Sequence, residues 1–397
     1  MSKRPTGRTL LAGPRIKSVT TGASVAFELL VEGFRSRGLP FFVVDVDPGA
    51  PTPRAGAFHL GRALAMLRML VLYLVRLPWC ARGYLLISSS PLGFVRDLLT
   101  IWPARVLGRR MTLHYQGGGY ADFYHQQAPW FQGVIRATLR QADALVVLSE
   151  SLRSQFDFLG DASPRICVVP NAVSPDLRPP DNYVKQLPES GPVRILYLSN
   201  MQESKGYLDV LAACRILRHE RGRHIHCDFC GEFVATVVDG NQQTTREARQ
   251  RFYQLVEEWK LEDVVTYHGT VQGETKREML LQAHVLALPT SYPWEGQPIC
   301  ILEALAFATP VVATPYRAIP DQVRDGHNGA LVPPSDPEAL ADAIERICSD
   351  RARYAQMSQN AQRTYLSRFT SDQHLQRLIA IILGEDSASS PVAAPHP

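Results

Sequence analysis

The chain has 397 residues, of which 45% are hydrophobic and 20% are charged. This length allows two domains of ordinary size, and the composition excludes a disordered chain. The net charge of +4 is too small to indicate nucleic-acid binding, but residues 1–180 carry 21 Lys and Arg against 11 Asp and Glu, whereas the remainder carries 21 against 27. The basic half predicts either an anionic partner, such as a membrane or a phosphorylated acceptor, or only a solvated surface.

Short apolar segments alternate with helical periodicity through the first half of the chain. Ser149 follows the last of these apolar segments and is predicted to cap the next helix. Strands that are apolar throughout and alternate with helices indicate a parallel sheet covered on both faces. The strands are predicted over 9–12, 41–44, 84–88, 111–115 and 144–148, and the helices over 22–36 and 60–77.

The second half repeats the pattern after a linker with prolines at 175, 179, 180 and 188. Two such units predict an α/β protein with two Rossmann-like domains facing a central cleft. The domains are expected over 1–180 and 190–365, followed by a helix over 366–383 that returns to the first domain and a disordered tail over 384–397. Within the second domain, strands are predicted over 193–198, 226–229, 264–268, 285–288 and 310–313, and helices over 246–259 and 299–307.

Seven widely spaced cysteines and an amino end without a long apolar run predict a cytoplasmic protein with free thiols. Cys227 and Cys230 form a CxxC, but the spacing of the remaining residues favours burial on a strand over metal binding. Asp45 and Asp47 form an Asp-x-Asp that could bind a divalent cation, although a polar strand end is the simpler interpretation. We therefore expect neither a metal nor a cofactor.

Two glutamates eight positions apart form the densest chemical signal, Glu295 in a loop broken by Gly and Pro and Glu303 in an apolar helix. Pro298 suits the first turn of that helix, because its missing N–H would have no helical partner there. The free amides of this turn, together with the helix dipole, predict a diphosphate site. Glu303 could then accept hydrogen bonds from ribose hydroxyls and Glu295 from a sugar. A surface carboxylate paired with Lys or Arg is the alternative for Glu303.

This block resembles the signature of the group 1 (family 4) retaining glycosyltransferases of the GT-B fold. The resemblance covers the second half almost fully and the first half from about residue 110. It implies that Glu295 contacts the transferred sugar, that Glu303 contacts the ribose, and that Lys205 contacts the diphosphate. The amides around Gly296, Gln297, Pro298 and Ile299 would face the sugar and phosphates, although Pro298 has no N–H. The similar stretches are 142–150, 169–173, 198–206, 295–313 and 319–329.

Two positions depart from the family pattern. Asn200 stands where most members have an Arg five residues before the Lys, so Lys205 is expected to carry most of the diphosphate charge. Arg317 and Ala318 replace a Gly-Gly pair, and Arg317 is a candidate substitute cation or a solvated loop residue. In the first half, His114 corresponds to a histidine near the transferred sugar, unless it is a core histidine. The residues expected on the acceptor side are Gly22, Ala23, Gly117 and Gly118.

The predicted helix over 60–77 is apolar and interrupted by Arg62, Arg68 and Arg76, which fall within one 120° arc. This pattern predicts either a basic stripe that lies on a membrane or an ordinary helix covering the sheet.

The sequence thus predicts a metal-independent, retaining hexosyltransferase that uses a nucleotide-sugar donor. Its acceptor would be a saccharide or a lipid-linked saccharide in cell-surface polysaccharide or glycoconjugate synthesis, with peripheral contact at the inner membrane face. A GT-B-like epimerase or phosphorylase and a non-catalytic sugar-nucleotide-binding protein are the alternatives.

Overall fold

The computed structural model describes residues 7–16, 21–47, 60–177, 183–238 and 241–385. The chain divides into two compact units. The first comprises residues 1–172 and 371–397, and the second comprises residues 173–370. The predicted boundary near residue 180 lies later than this division, because Val173 and Leu177 pack in the hydrophobic core of the second unit.

The first unit contains a parallel six-stranded sheet in the order β2-β1-β3-β4-β5-β6. Its strands are β1 Arg8–Gly13, β2 Phe41–Asp45, β3 Cys80–Leu86, β4 Arg110–His114, β5 Ala144–Val147 and β6 Arg165–Val168. Its helices in this part of the chain are α1 Gly22–Ser36, α2 Leu60–Arg76, α3 Pro91–Val106, α4 Tyr120–His125 and α5 Pro129–Leu139.

The second unit contains another parallel six-stranded sheet, in the order β11-β8-β7-β12-β13-β14, and an antiparallel pair formed by β9 and β10. Its strands are β7 Val193–Leu198, β8 Ile225–Cys230, β9 Thr236–Val238, β10 Asn241–Gln243, β11 Val265–Gly269, β12 Val285–Leu288, β13 Val311–Ala313 and β14 Gly329–Leu331. Its helices are α6 Tyr207–Arg215, α7 Thr245–Glu258, α8 Gly273–Gln282, α9 Ile299–Ala306, α10 Pro337–Cys348 and α11 Arg351–Arg368.

The last helix, α12, runs over Ser371–Leu383 and belongs to the first unit. It packs against α1, where Gly33 leaves no room for a side chain, since a Cβ there would lie 2.5 Å from Leu375. The return of this helix to the first unit is confirmed, but its predicted start at residue 366 is wrong. Phe369 ends α11 and is fully buried in the second unit, so the chain leaves that unit only afterwards.

Both faces of the first sheet are covered, as the apolar strands predict. Neighbouring residues of β1 enter different cores: Leu10 packs with residues of α2, α3 and α5, whereas Leu11 packs with residues of α1 and α12. The two α/β sheets are therefore confirmed. Cys227 and Cys230 are likewise buried on β8.

Two local predictions are wrong. Ser149 caps no α-helix. Its Oγ lies 2.9 Å from Ser151 Oγ, and the following residues, Glu150–Ala162, form 3-10 turns. The basic stripe on α2 is also absent among the side chains that the structure describes, because Arg76 turns inward and donates to the Val43 carbonyl at 2.7 Å. Arg68 is exposed, and the Arg62 side chain lies outside the described residues.

Among the described residues, no helix combines the length and the apolar run that crossing a bilayer requires.

A buried lysine fixes the start of the second unit. Lys185 Nζ donates to the carbonyls of Leu280 and Ala283 and, at 2.7 Å, to Thr309 Oγ1. Its backbone N–H donates to Ser358 Oγ at 2.8 Å. The linker is thereby attached to the end of α8, to Thr309 in the segment before β13 and to α11.

We expect Lys185→Met to lower the free energy of unfolding of the second unit by about 3 kcal/mol. The substitution leaves two buried carbonyl groups without their donor. Urea denaturation followed by tryptophan fluorescence measures the loss. Lys260→Met, at an exposed lysine, is the matched control, and an equal effect of both substitutions would contradict the role assigned to Lys185.

Candidate functional site

The predicted donor residues of the second unit gather where its parallel strands end. Lys205 lies in a 3-10 turn, Glu203–Lys205, that follows β7. The next residue, Gly206, has φ +79°, and a Cβ there would lie 2.5 Å from the Pro289 carbonyl oxygen. Only glycine therefore allows the loop after β7 to contact the loop after β12 so closely.

Hydrogen bonds between these two loops support the contact. Ser291 donates its backbone N–H to the Ser204 carbonyl at 2.7 Å, and Thr290 Oγ1 donates to the same carbonyl at 3.2 Å. The loop that carries Lys205 and the loop that carries Glu295 are therefore held as one surface.

Glu295 forms a buried ion pair with Lys205. Its Oε2 lies 2.6 Å from Lys205 Nζ and also accepts from Thr290 Oγ1 at 3.2 Å. The ammonium group of Lys205 lies 4.5 Å from the centre of the Tyr292 ring, a cation–π geometry. Lys205 is thus paired with Glu295. The sequence did not predict this contact between the two residues.

Glu303 lies on α9, one turn into the helix, and is only 3% exposed. Pro298 precedes the first helical residue, Ile299, and no side chain caps this end of the helix. The helix starts where the sequence predicts, and the amide groups of its first turn point away from the helix body toward the loop. Gly296, Gln297 and Pro298 are buried in that loop.

Lys276 is the site residue that the sequence analysis missed. It lies in the first turn of α8, and its Nζ is 2.6 Å from Glu303 Oε1. Burial raises the pKa of Glu303, and the Lys276 charge opposes that shift. The alternation of strands and helices offered one signal for Lys276, because this lysine lies at the start of a helix that follows a parallel strand. The starts of all such helices lie at the same edge of the sheet.

Cys300 shows that the two ion pairs are close to each other. Burial and the charges of Glu303 and Glu295 raise the pKa of its thiol to about 12, and the charges of Lys205 and Lys276 act in the opposite direction. Cys300 lies on α9 three residues before Glu303, so the charges of both ion pairs act on its thiol. The site thus combines two cations, two carboxylates and the amide end of a helix.

Asn200 and Arg317, the two residues that depart from the family pattern, make different contacts. Asn200 is exposed, and its carbonyl accepts from the Tyr197 hydroxyl at 2.8 Å. Arg317 has φ +50° and donates to the Pro293 carbonyl at 3.2 Å, so it contacts the loop that carries Glu295. Asn200 carries no charge, and the role of Arg317 as a substitute cation stays a prediction. Lys276 supplies a cation at Glu303.

This arrangement fits an anionic ligand that also carries hydroxyl groups. Lysine ammonium groups and helix amides bind phosphate oxygens, and buried carboxylates accept hydrogen bonds from hydroxyls. Each carboxylate is paired with a lysine at 2.6 Å.

Among the predicted site residues of the first unit, His114 lies in the core. His114 ends β4 and is fully buried, with Nδ1 2.7 Å from the Tyr84 hydroxyl and Nε2 3.0 Å from Gln116 Nε2. Burial lowers its pKa to about 3, so the ring is neutral at pH 7. In this structure His114 is therefore a core histidine, and contact with a sugar would require Gln116 to move.

The glycines of the predicted acceptor side lie at two places. Gly117 and Gly118 follow β4, and a Cβ on Gly117 would lie 2.6 Å from the Tyr115 hydroxyl. Gly22 and Ala23 are the first residues of α1, which begins with a capping box formed by Thr21 and Ser24. Their role toward an acceptor stays a prediction.

A family model and several glycosyltransferases are similar to this chain. Residues 181–364 match the family model described as glycosyl transferases group 1. The putative colanic acid biosynthesis glycosyltransferase WcaL of Salmonella typhimurium is 32% identical over 140 residues, which are 34% of this chain and 34% of WcaL. The amylovoran biosynthesis glycosyltransferase AmsK of Erwinia amylovora is 28% identical over 165 residues, 41% of this chain and 37% of AmsK.

The chain thus spans about a third of the length of these curated relatives. Among solved structures, that of HepE from Anabaena in complex with UDP-glucose has a TM-score of 0.67 at 15% identity and covers 95% of this chain and 99% of HepE. This likeness shows the fold, and the GT-B prediction is confirmed.

We expect Gly206→Ala to destabilise the second unit by about 2 kcal/mol more than Gly222→Ala. Both glycines have positive φ, but only a Cβ at position 206 meets a backbone atom, whereas position 222 has open space. Thermal unfolding of both variants tests this, and equal losses would show that the contact with Pro289 tolerates a side chain.

We expect Cys300 to resist alkylation. With a pKa of about 12, only about one thiol in ten thousand is ionised at pH 8. Glu303→Gln removes one of the charges that raise this pKa and should accelerate alkylation by iodoacetamide about threefold or more. Peptide mass mapping measures the rate, and Glu258→Gln at an exposed position is the control. Rapid alkylation of Cys300 in the unmodified protein would refute the proximity of the four charges.

Proposed function

We propose that the chain transfers a hexose-type sugar from a nucleotide diphosphate donor to a hydroxyl group of a saccharide; the match of residues 181–364 to the group 1 glycosyl transferase model supports this. The observation that carries the proposal is the pair of buried glutamates near the start of α9. Glu295 lies 2.6 Å from Lys205, and Glu303 lies 2.6 Å from Lys276.

The position of each charged group indicates which part of the donor it would contact. Its diphosphate would lie against the first-turn amides of α9 and the ammonium groups of Lys205 and Lys276. Glu303 would accept hydrogen bonds from the ribose, and Glu295 from the hydroxyls of the transferred sugar. Lys276 would replace the cation that Asn200 does not provide.

The transfer breaks the bond between sugar C1 and the oxygen of the β-phosphate. The electron pair of that bond leaves with the diphosphate, and the acceptor hydroxyl attacks C1 on the same face and gives its proton to the departing phosphate oxygen. The sugar passes through an oxocarbenium-like state. Because negative charge grows on the diphosphate, Lys205, Lys276 and the helix amides stabilise the transition state more than the bound donor.

In this proposal the retaining transfer needs no metal and no cofactor, because the lysines and the helix amides supply the positive charge. Asp45 of the early Asp-x-Asp instead accepts backbone N–H groups of Arg15 and Asp47, at 3.2 and 3.0 Å. This favours the polar strand end over a cation site.

Substrates are proposed from the relatives. HepE was solved with UDP-glucose, so a UDP-hexose is the first donor to test. WcaL and AmsK are named for colanic acid and amylovoran biosynthesis, which supports a saccharide acceptor in cell-surface polysaccharide synthesis, lipid-linked in the form we favour. All seven cysteines are free thiols, which supports the reducing cytoplasm as the compartment.

Donor binding is tested by thermal shift with UDP-, GDP- and ADP-sugars. The cognate donor, at about 100 times its Kd, should raise the Tm by about 5 °C. Glu303→Gln and Lys276→Met should abolish most of this shift and lower kcat/KM at least about a hundredfold. Lys260→Met should change neither quantity. If no sugar nucleotide shifts the Tm of the unmodified protein, the proposed function is wrong.

The stereochemistry of transfer is tested separately. NMR of the early product should show the anomeric configuration of the donor. An inverted product would refute the retaining mechanism but not the donor site.

A further inference from the structure

Helix α3 of the first unit presents its polar residues inward. Arg96, Asp97 and Thr100 are buried against the sheet. Arg96 Nη2 lies 2.6 Å from Asp97 Oδ1, and Asp97 Oδ2 accepts from the backbone N–H of Ser88 at 2.8 Å. The outward side chains are large, apolar and exposed: Leu92, Val95, Leu99, Trp102 and Val106. At 100° per residue these five lie within an arc of about 80°.

Helix α2 also exposes apolar side chains on its outward side. Its buried side, which includes Met69 and Tyr73, packs on the core with residues of α3. Among the side chains of α2 that the structure describes, the large exposed ones are apolar apart from Arg68: Leu64, Leu67, Val71, Leu72, Leu74 and Val75.

The outward sides of α2 and α3 are parts of one surface, since these helices are neighbours on the same face of the sheet. Trp102 Nε1 donates to Thr138 Oγ1 at 3.1 Å and joins α3 to α5, which begins with the exposed Trp130. Arg109 donates to the Pro78 carbonyl at 2.9 Å, next to the exposed Trp79 that follows α2. We call the exposed apolar residues of α2 and α3, with Trp79 and Trp130, the apolar face.

Its charges have one sign. Asp97 is the sole carboxylate residue between positions 60 and 121 of the sequence, and it is fully buried. Arg68 and Arg105 are exposed on the two helices. The apolar face therefore carries cations and no exposed carboxylate, which makes it complementary to an anionic surface.

We propose that the apolar face is a membrane-binding surface that inserts its leucine, valine and tryptophan side chains among the headgroups of an anionic bilayer. Interfacial binding requires apolar side chains that reach below the headgroups, cations for the lipid phosphates and tryptophans at the boundary. The apolar face supplies all three. It differs from the basic stripe predicted from the sequence, because the exposed side chains described on α2 are mostly Leu and Val, with Arg68 as their exposed arginine.

A bilayer explains this surface better than a second copy of the chain. A symmetric dimer would bring Arg68 and Arg105 of both copies to one interface without a carboxylate to neutralise them. The proposal goes beyond the glycosyl transfer and does not depend on the donor site.

The experiment is co-sedimentation of the full chain with vesicles of phosphatidylcholine alone and with about 30% phosphatidylglycerol. The chain should bind the anionic vesicles more tightly, and salt should weaken this preference. Leu67→Glu and Leu92→Glu should each weaken binding about tenfold or more, because each removes apolar contact and adds a negative charge. Arg68→Gln with Arg105→Gln should abolish the preference for anionic lipid but keep the weaker binding to neutral vesicles.

The matched controls lie in the second unit. Leu366→Glu replaces a leucine that is 52% exposed, close to the 58% of Leu67, and should leave binding unchanged. Arg246→Gln with Arg353→Gln, at exposed arginines, controls for net charge. Each variant should keep the donor-induced shift in Tm if the unmodified chain has one, and a cooperative thermal transition otherwise. These readouts separate failure of membrane binding from failure of the proposed function.

Three outcomes would overturn the proposal. The unmodified chain could fail to bind anionic vesicles at low salt. The loss caused by Leu366→Glu could equal that caused by Leu67→Glu. Light scattering could show a dimer that Leu67→Glu dissociates without any effect on vesicle binding, in which case a second copy covers the apolar face.

Discussion

The second unit depends on keeping two carboxylates charged in its interior. A buried carboxylate without a partner would take up a proton or destabilise the fold. Lys205 and Lys276 prevent this, each at 2.6 Å from its glutamate. The same lysines provide the positive charge that a diphosphate requires. The lysines that pair with the buried glutamates are therefore also the cations that would bind the donor.

These pairs exist because backbone segments distant in the sequence approach closely. Gly206 allows the loop after β7 to contact the Pro289 carbonyl, which brings Lys205 to Glu295 across 90 residues of sequence. Lys276 reaches Glu303 from the start of a different helix. Substitution of the family's usual arginine by Asn200 therefore leaves a site with two cations, although the second comes from a position that the family motif does not include.

In the first unit, apolar side chains lie on the surface of two helices as well as in the core. Its sheet is covered by helices on both faces, so the cores of the two units follow the same rules of packing. On α2 and α3, however, apolar residues continue onto the outward side, where a protein surrounded only by water gains nothing from them. The buried pair of Arg96 and Asp97 leaves that surface without a carboxylate. Both the packing and the charge of these helices suit a partner that is apolar within and anionic at its surface.

The sequence by itself determined the parallel α/β units, most strand positions and the start of α9 at Pro298, because periodicity, turn residues and capping act within a few neighbouring positions. It also pointed to Glu295 and Glu303 by their spacing, and to Lys205 by the resemblance to the glycosyltransferase family. Only the tertiary structure decided that Lys276 joins the site, that His114 is buried and that Arg76 turns inward to the Val43 carbonyl. Each of these depends on contacts between segments far apart in the chain, and the spacing of residues along a sequence does not record such contacts.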